Sequence, residues 1–227
     1  MGVSYRPMDA ALVRTGTERA TLVRRTYLLV FASVLVTMGG VAFALTQPSI
    51  LGAVAAHPFI TFLCTIAPLF AAMKFREAFP ANIGLVFLFT FLEGLAISPI
   101  IYIYGQSQPG VIGQAALLTG SAFGALTCYA WVSRRDFSAW GSFFTIGLVV
   151  LIVASLLNLF FHSATASLWL AGAAVIVFGG LLVFDTWRLR NVFGPNDYVQ
   201  AAVTIYLDLL NMFMAILTLL GGGRRNN

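Results

Sequence analysis

The sequence predicts an all-α, polytopic membrane protein of seven transmembrane helices. Three observations predict it. Of 227 residues, 59% are hydrophobic and only 9% are charged, whereas soluble domains carry about 25% charged residues. Charges this sparse cannot cover a soluble core, and lipid is the solvent that fits. The apolar residues fall in seven continuous runs of about 20 residues, the length an α-helix needs to cross ~30 Å of hydrocarbon. Because the runs are continuous rather than alternating, strands are disfavoured. Finally, the basic residues cluster between alternate runs, as membrane topology requires.

In chain order, a polar basic segment (1–25) precedes a membrane domain (26–221), and a short polar tail (222–227) follows it. The runs are Tyr27–Thr46, Ile50–Met73, Ala81–Tyr104, Gly113–Val132, Gly141–Phe161, Ser167–Trp187 and Ala201–Gly221. Short connectors rich in turn residues separate them, including Gln47-Pro48-Ser49 and Gly194-Pro195-Asn196. His57-Pro58 interrupts the second run, so its helix is expected to begin near Pro58, with proline in the first turn. Ala42-Phe43-Ala44, following Arg24-Arg25, also has the look of a secretory cleavage site. The first run is nevertheless long enough to span, and the polar stretch before it is long for a signal, so a spanning helix is the preferred reading. Cys64 and Cys128 fall within apolar runs and are expected to be buried small hydrophobes.

Eleven basic residues fall on one face: Arg6, Arg14, Arg19, Arg24, Arg25, Lys74, Arg76, Arg134, Arg135, Arg188 and Arg190. The three alternate loops hold none. The positive-inside rule then places the N-terminus in the cytoplasm. Arg224 and Arg225 are the exception. Seven full crossings put them outside, and a last segment that turned back would return them inside; seven crossings is the reading adopted. The net charge of +5 is thereby explained by topology, and no nucleic-acid partner is expected.

Three of the eight acidic residues lie within apolar runs: Glu93, Asp185 and Asp208. An ionised carboxylate at mid-membrane costs at least ~2.5–3.5 kcal/mol, so such groups face the bundle interior or a water-filled cavity and are candidates for function. Thr204, Asp208 and Asn211 share one helix face at i, i+4, i+7, and Ala215 and Thr218 extend that stripe. The plainer reading of the stripe is interhelical hydrogen bonding. Asp185 lies about one turn from the cytoplasmic end of the sixth run, and Asp208 lies in the cytoplasmic half of the seventh. Taken alone, Asp185 also fits an interfacial residue paired with Arg188 at i+3. Two carboxylates brought close in low dielectric cannot easily both ionise and should titrate as a unit, which makes a proton-sensitive element. Glu93, beside Gly94 and one helical stretch before Ser98-Pro99, reads either as a cavity-lining acid on an ion route or as a hydrogen-bonded core acid. Ser98-Pro99 is expected to loosen its helix. His57 and His162, distant from each other and from cysteine, do not form a zinc site. Trp131, Trp140, Trp169 and Trp187 sit near run ends as interfacial anchors do.

Tyr206-Leu207-Asp208 with Asn211, the Gly179 to Asp185 approach, and Gly94-Leu95 with Ser98-Pro99-Ile100 together resemble the Bax inhibitor-1 (transmembrane Bax inhibitor motif) family. The resemblance extends from about Arg25 to Gly221 and is to a bacterial-type member, which implies a bacterial inner membrane. It implies six helices around a central C-terminal seventh, and a pH-sensitive calcium leak across the membrane. It also implies that Asp185 and Asp208 are the paired pH sensor, offering at most a weak Ca²⁺ contact, and that Arg76 is the latching arginine, with Lys74 close by. Glu93 and Asn211 are the expected ion-pathway residues. Ca²⁺ and protons are the expected partners within the lipid bilayer, with no cofactor and no enzymatic activity. The alternative is a regulatory partner of a membrane-bound protease that conducts nothing, for which the polar N-terminal segment would supply an accessible contact. An aspartyl intramembrane protease fits poorly, since Ile205-Tyr206-Leu207 rather than a glycine-flanked motif precedes Asp208. A retinal protein is excluded because the only lysine, Lys74, lies in a loop.

Overall fold

The structure is a computed structural model that describes residues 16–75 and 78–223. Among the described residues it holds eight α-helices and no strand: α1 (Gly16–Thr46), α2 (Pro48–Ala56), α3 (Pro58–Lys74), α4 (Ala81–Ser107), α5 (Val111–Val132), α6 (Ser138–Phe161), α7 (Ala164–Asn191) and α8 (Tyr198–Gly223). Six are long and apolar enough to cross a membrane. The bent pair α2–α3 makes a seventh span if it is counted as one, with a 98° bend at the break. His57 ends α2 and precedes α3, and Pro58 opens α3 as the sequence suggests. Proline lacks an N–H to give, so it is tolerated in a first turn but cannot carry α2 onward.

Several helices outrun their apolar stretches. α1 starts at Gly16, well before Tyr27, and buries Leu22 and Thr26 against the bundle. α7 continues past Trp187 to Asn191, so Arg188 and Arg190 belong to its last turn rather than to a loop. A helix needs apolar residues only where it meets hydrocarbon or protein, so run length underestimates helix length. The ends follow local chemistry. The Ser163 hydroxyl accepts from the Ala166 amide at the start of α7. Gly110, at φ 86°, turns the chain into α5. Pro99 sits inside α4 without ending it.

α8 is the hub. It packs against α7, α1, α5, α4 and α3, while α6, among the described helices, touches α7 alone. α1 and α4 cross at Gly40 and Gly94, where a Cβ on either glycine would fall onto the other helix's backbone, at the Phe91 and Thr37 carbonyls respectively. That close approach is the packing small residues allow in membranes. α6 docks on α7 by exchanged knobs: the Phe184 ring rests where Gly141 leaves space, and the Phe144 ring where Gly180 does.

Cys64 and Cys128 are exposed on α3 and α5, not buried as the sequence suggested. Lipid tails are as apolar as a protein core, so an apolar run carries no instruction to bury its cysteines in protein. The same reason accounts for the many exposed large side chains, such as Phe31, Phe70, Leu117 and Phe160.

Candidate functional site

The basic end of the bundle is where α1, α4, α6 and α8 begin and α3, α5 and α7 end. Arg190 Nη1 donates to the Trp131 and Ser133 carbonyls at 2.7 and 3.0 Å, satisfying groups left free at the end of α5. The Arg25 guanidinium lies 5.8 Å above the Tyr198 ring at the start of α8. A tight turn joins α7 to α8, closed by the Gly194 amide donating to Asp197 Oδ2 at 2.7 Å. That turn makes the two helices antiparallel neighbours and sets Asp185 beside Asp208.

Asp185 and Asp208 are 6% and 5% exposed, sealed within the bundle, and their carboxyl groups lie against each other. Asp185 Oδ1 accepts from Arg188 Nη1 at 2.8 Å. The same guanidinium is flanked by the rings of Phe193 at 4.4 Å and Phe184 at 5.5 Å. Thr204, one turn before Asp208, also faces Asp185. Among the described residues, Asp208 Oδ2 is buried with no hydrogen-bond partner. Such an unpaired carboxyl oxygen costs free energy unless the group is neutral or finds a partner in another state. Asp185 lies six residues before the end of α7 and Asp208 ten after the start of α8. Along the helices they lie ~9 and ~15 Å from those ends by helical rise.

Asn211, one turn further on, donates its amide to its own helix at the Leu207 carbonyl, 2.8 Å away. Thr218 likewise donates to Met214 O at 2.8 Å. Thr204 and Asp208 are therefore the members of the stripe whose polar groups meet a neighbouring helix, at Asp185. Glu93 is half-buried on α4 and lies near Tyr206, not with the aspartates. Tyr206 and Asp208 are two residues apart and so point to opposite sides of α8. The Tyr206 hydroxyl sits 2.7 Å from that of Thr37. The Thr37 hydroxyl also lies 2.9 Å from the Ser33 carbonyl and 3.0 Å from the Thr90 carbonyl. This link between α1, α4 and α8 is absent from the sequence reading, because no periodic pattern joins residues 169 positions apart. The one available signal was Tyr206, a polar tip within an apolar run.

Arg76, the expected latch, lies outside the described residues, as do Arg224 and Arg225. Lys74 lies within them, with its ammonium 5.8 Å from the Phe75 ring. Among the described residues no group of three or more His, Cys, Asp or Glu side chains is placed to hold a metal ion.

A family model described as "Inhibitor of apoptosis-promoting Bax1" matches residues 19–226. The chain belongs to this Bax inhibitor family. Relatives include Bax inhibitor 1 of Schizosaccharomyces pombe, 30% identical over 215 residues that cover 92% of this chain and 79% of the relative. An uncharacterized protein of Campylobacter jejuni is 35% identical over 212 residues, covering 90% and 89%. Mouse protein lifeguard 4 is 35% identical over 158 residues, or 70% of this chain, and the chain spans 65% of that relative's length. As a Bax inhibitor family member with these helices, the chain is an integral membrane protein.

Proposed function

We propose that this protein is a pH-sensitive cation leak, with Ca²⁺ as the transported ion, gated by the Asp185–Asp208 pair. The observation that supports this most is the buried pair itself: two carboxyls in contact, one held by Arg188 and the other with an oxygen left unpartnered. A purely structural contact would not need a second acid at that cost. A guanidinium keeps its charge across the physiological range, so it grips an ionised aspartate and releases a protonated one. Because Arg188 and Asp185 share α7, the link between the helices is the carboxyl–carboxyl contact: an ionised Asp185, held by Arg188, accepts from a protonated Asp208, and a further proton replaces that charge-assisted bond with a weaker neutral one. Acid thereby loosens α7 from α8 and opens the path toward the basic end, which is the cytoplasmic side by the positive-inside rule. Glu93, beyond Tyr206 on the other side of α8, supplies an oxygen ligand further along the route. A hard cation wants six to eight oxygens, and two carboxyls offer few, which favours passage over storage.

The test is Ca²⁺ flux from liposomes holding the purified protein, across a pH series. Flux that rises with acid and loses that rise in Asp208→Asn supports the reading. Absence of flux at every pH rejects it and leaves the regulatory role beside a membrane protease. Reporter fusions at Gln106 and His162 should read outside and at Arg135 and Arg190 inside; a cytoplasmic signal at Gln106 or His162 overturns the orientation.

A further inference from the structure

α1 and α5 both pack on α8 and on α4's surroundings, yet among the described residues their Cα atoms never come within 8 Å of each other. Between them lies a slot of about 470 Å³ floored by α8, within the roughly 300–1,000 Å³ range of small-molecule sites. At the basic end the slot is closed where the Tyr27 and Phe123 rings meet edge to face, 6.3 Å between centroids. There the Trp131 indole also donates to the Tyr27 hydroxyl at 3.4 Å. Toward the other end it runs past Leu45, Ile101 and Ile112, where α4 turns into α5. It opens sideways between Met38 on α1 and Ala116 and Gly120 on α5, all of them exposed.

The walls ask for no polar partner. Thr119 donates to its own helix at the Ala115 carbonyl, 2.7 Å away, and Thr37 and Tyr206 satisfy each other. A water molecule needs two to four polar partners and finds none here. An empty slot would forfeit the dispersion contacts that hold membrane bundles together. In a bilayer, what lies against such an opening is hydrocarbon.

The dimensions select one form of it. From Val34 to Leu45 the α1 wall is ~16 Å long by helical rise, about half of a ~30 Å hydrocarbon core. The wall uses the second halves of α1 and α4 and the first half of α5, so the slot runs from mid-depth toward the end away from the basic residues. We propose that it holds one acyl chain of a phospholipid drawn from the leaflet opposite the basic end. The tail gains little by leaving bulk hydrocarbon, so selectivity comes from filling the void, and the lipid exchanges freely.

The test needs no ion flux and stands apart from the channel reading. The protein is placed in nanodiscs with a phospholipid carrying a diazirine midway along one acyl chain, irradiated, and mapped by peptide mass spectrometry. Adducts should concentrate on Met38, Val41 and Phe213 relative to the lipid-facing Ile146 and Val150 of α6. A Cβ on Gly120 meets nothing within 4 Å, so Gly120→Phe should fold, fill the slot and abolish its excess adducts while those on α6 persist. Leu117→Phe, 74% exposed and outside the slot, should change nothing. Where Gly120→Phe lowers the melting temperature, Ala116→Phe gives the same readout. Slot adducts no denser than those on α6, or undiminished in the filled variant, overturn the proposal.

Discussion

α6 and α8 are both long apolar helices, and the bundle treats them in opposite ways. α6 holds no charged residue, touches α7 alone among the described helices, and buries only Gly141 and Leu151. α8 carries Asp208, Asn211, Thr204 and Thr218, yet it sits at the centre with Val199, Ala201, Ile205, Tyr206 and Leu217 sealed. In water the more apolar helix would go inside. In a bilayer both surroundings are apolar, so hydrophobicity does not sort helices, and the polar and small residues decide which one the others surround.

The largest effect expected from breaking this contrast is on gating. Asp185→Asn and Asp208→Asn should each flatten the rise of flux with acid, a rise expected at about 5- to 150-fold for a contact coupling of ~1–3 kcal/mol. The double variant should do little more than either single one, because groups acting as a unit are not additive. Additive losses in liposome flux would reject the pair.

A smaller effect is expected at the arginines. Arg188 grips Asp185 in the structure, whereas family resemblance points to Arg76. Arg188→Ala should raise neutral-pH flux about tenfold, the worth of a charge-assisted bond of about 1.5 kcal/mol, with little change in acid. Arg76→Ala should raise it as well if both arginines share the latch, and Lys74→Ala should do less than either. Unchanged neutral flux in both arginine variants removes the latch, even if the aspartate pair passes its own test.

Stability sharpens the comparison directly. Ala202→Leu on α8 overfills a site that is 1% exposed and should cost about 1–3 kcal/mol. Ser155→Leu on the exposed face of α6 should stay within about 0.5 kcal/mol. Unfolding of the purified variants in detergent measures both; equal costs would mean that α6 is covered by something in the folded protein. The smallest effect is expected for Tyr206→Phe, which deletes the hydroxyl facing Thr37. Interhelical hydrogen bonds in membranes average about 0.6 kcal/mol, and a loss above about 2 kcal/mol in the same assay would make this contact more than a brace.

The sequence by itself determined the solvent, the helical class, the number of spans and the break at Pro58, because each rests on local chemistry: run length, continuity and the missing amide of proline. It also singled out Asp185 and Asp208, since a charge inside an apolar run is conspicuous wherever the helix ends up. Tertiary structure decided the rest. It chose Arg188 as the observed partner of Asp185, turned the Asn211 amide back onto its own helix, and set Glu93 beside Tyr206 on the far side of α8 from the aspartates. It joined Tyr206 to Thr37 and left a slot between α1 and α5. It also put Cys64 and Cys128 on the outside. The physical reason is common to all of these. Inside hydrocarbon, which face of an apolar helix meets protein is not written in its hydrophobicity, and only the packing of whole helices assigns it.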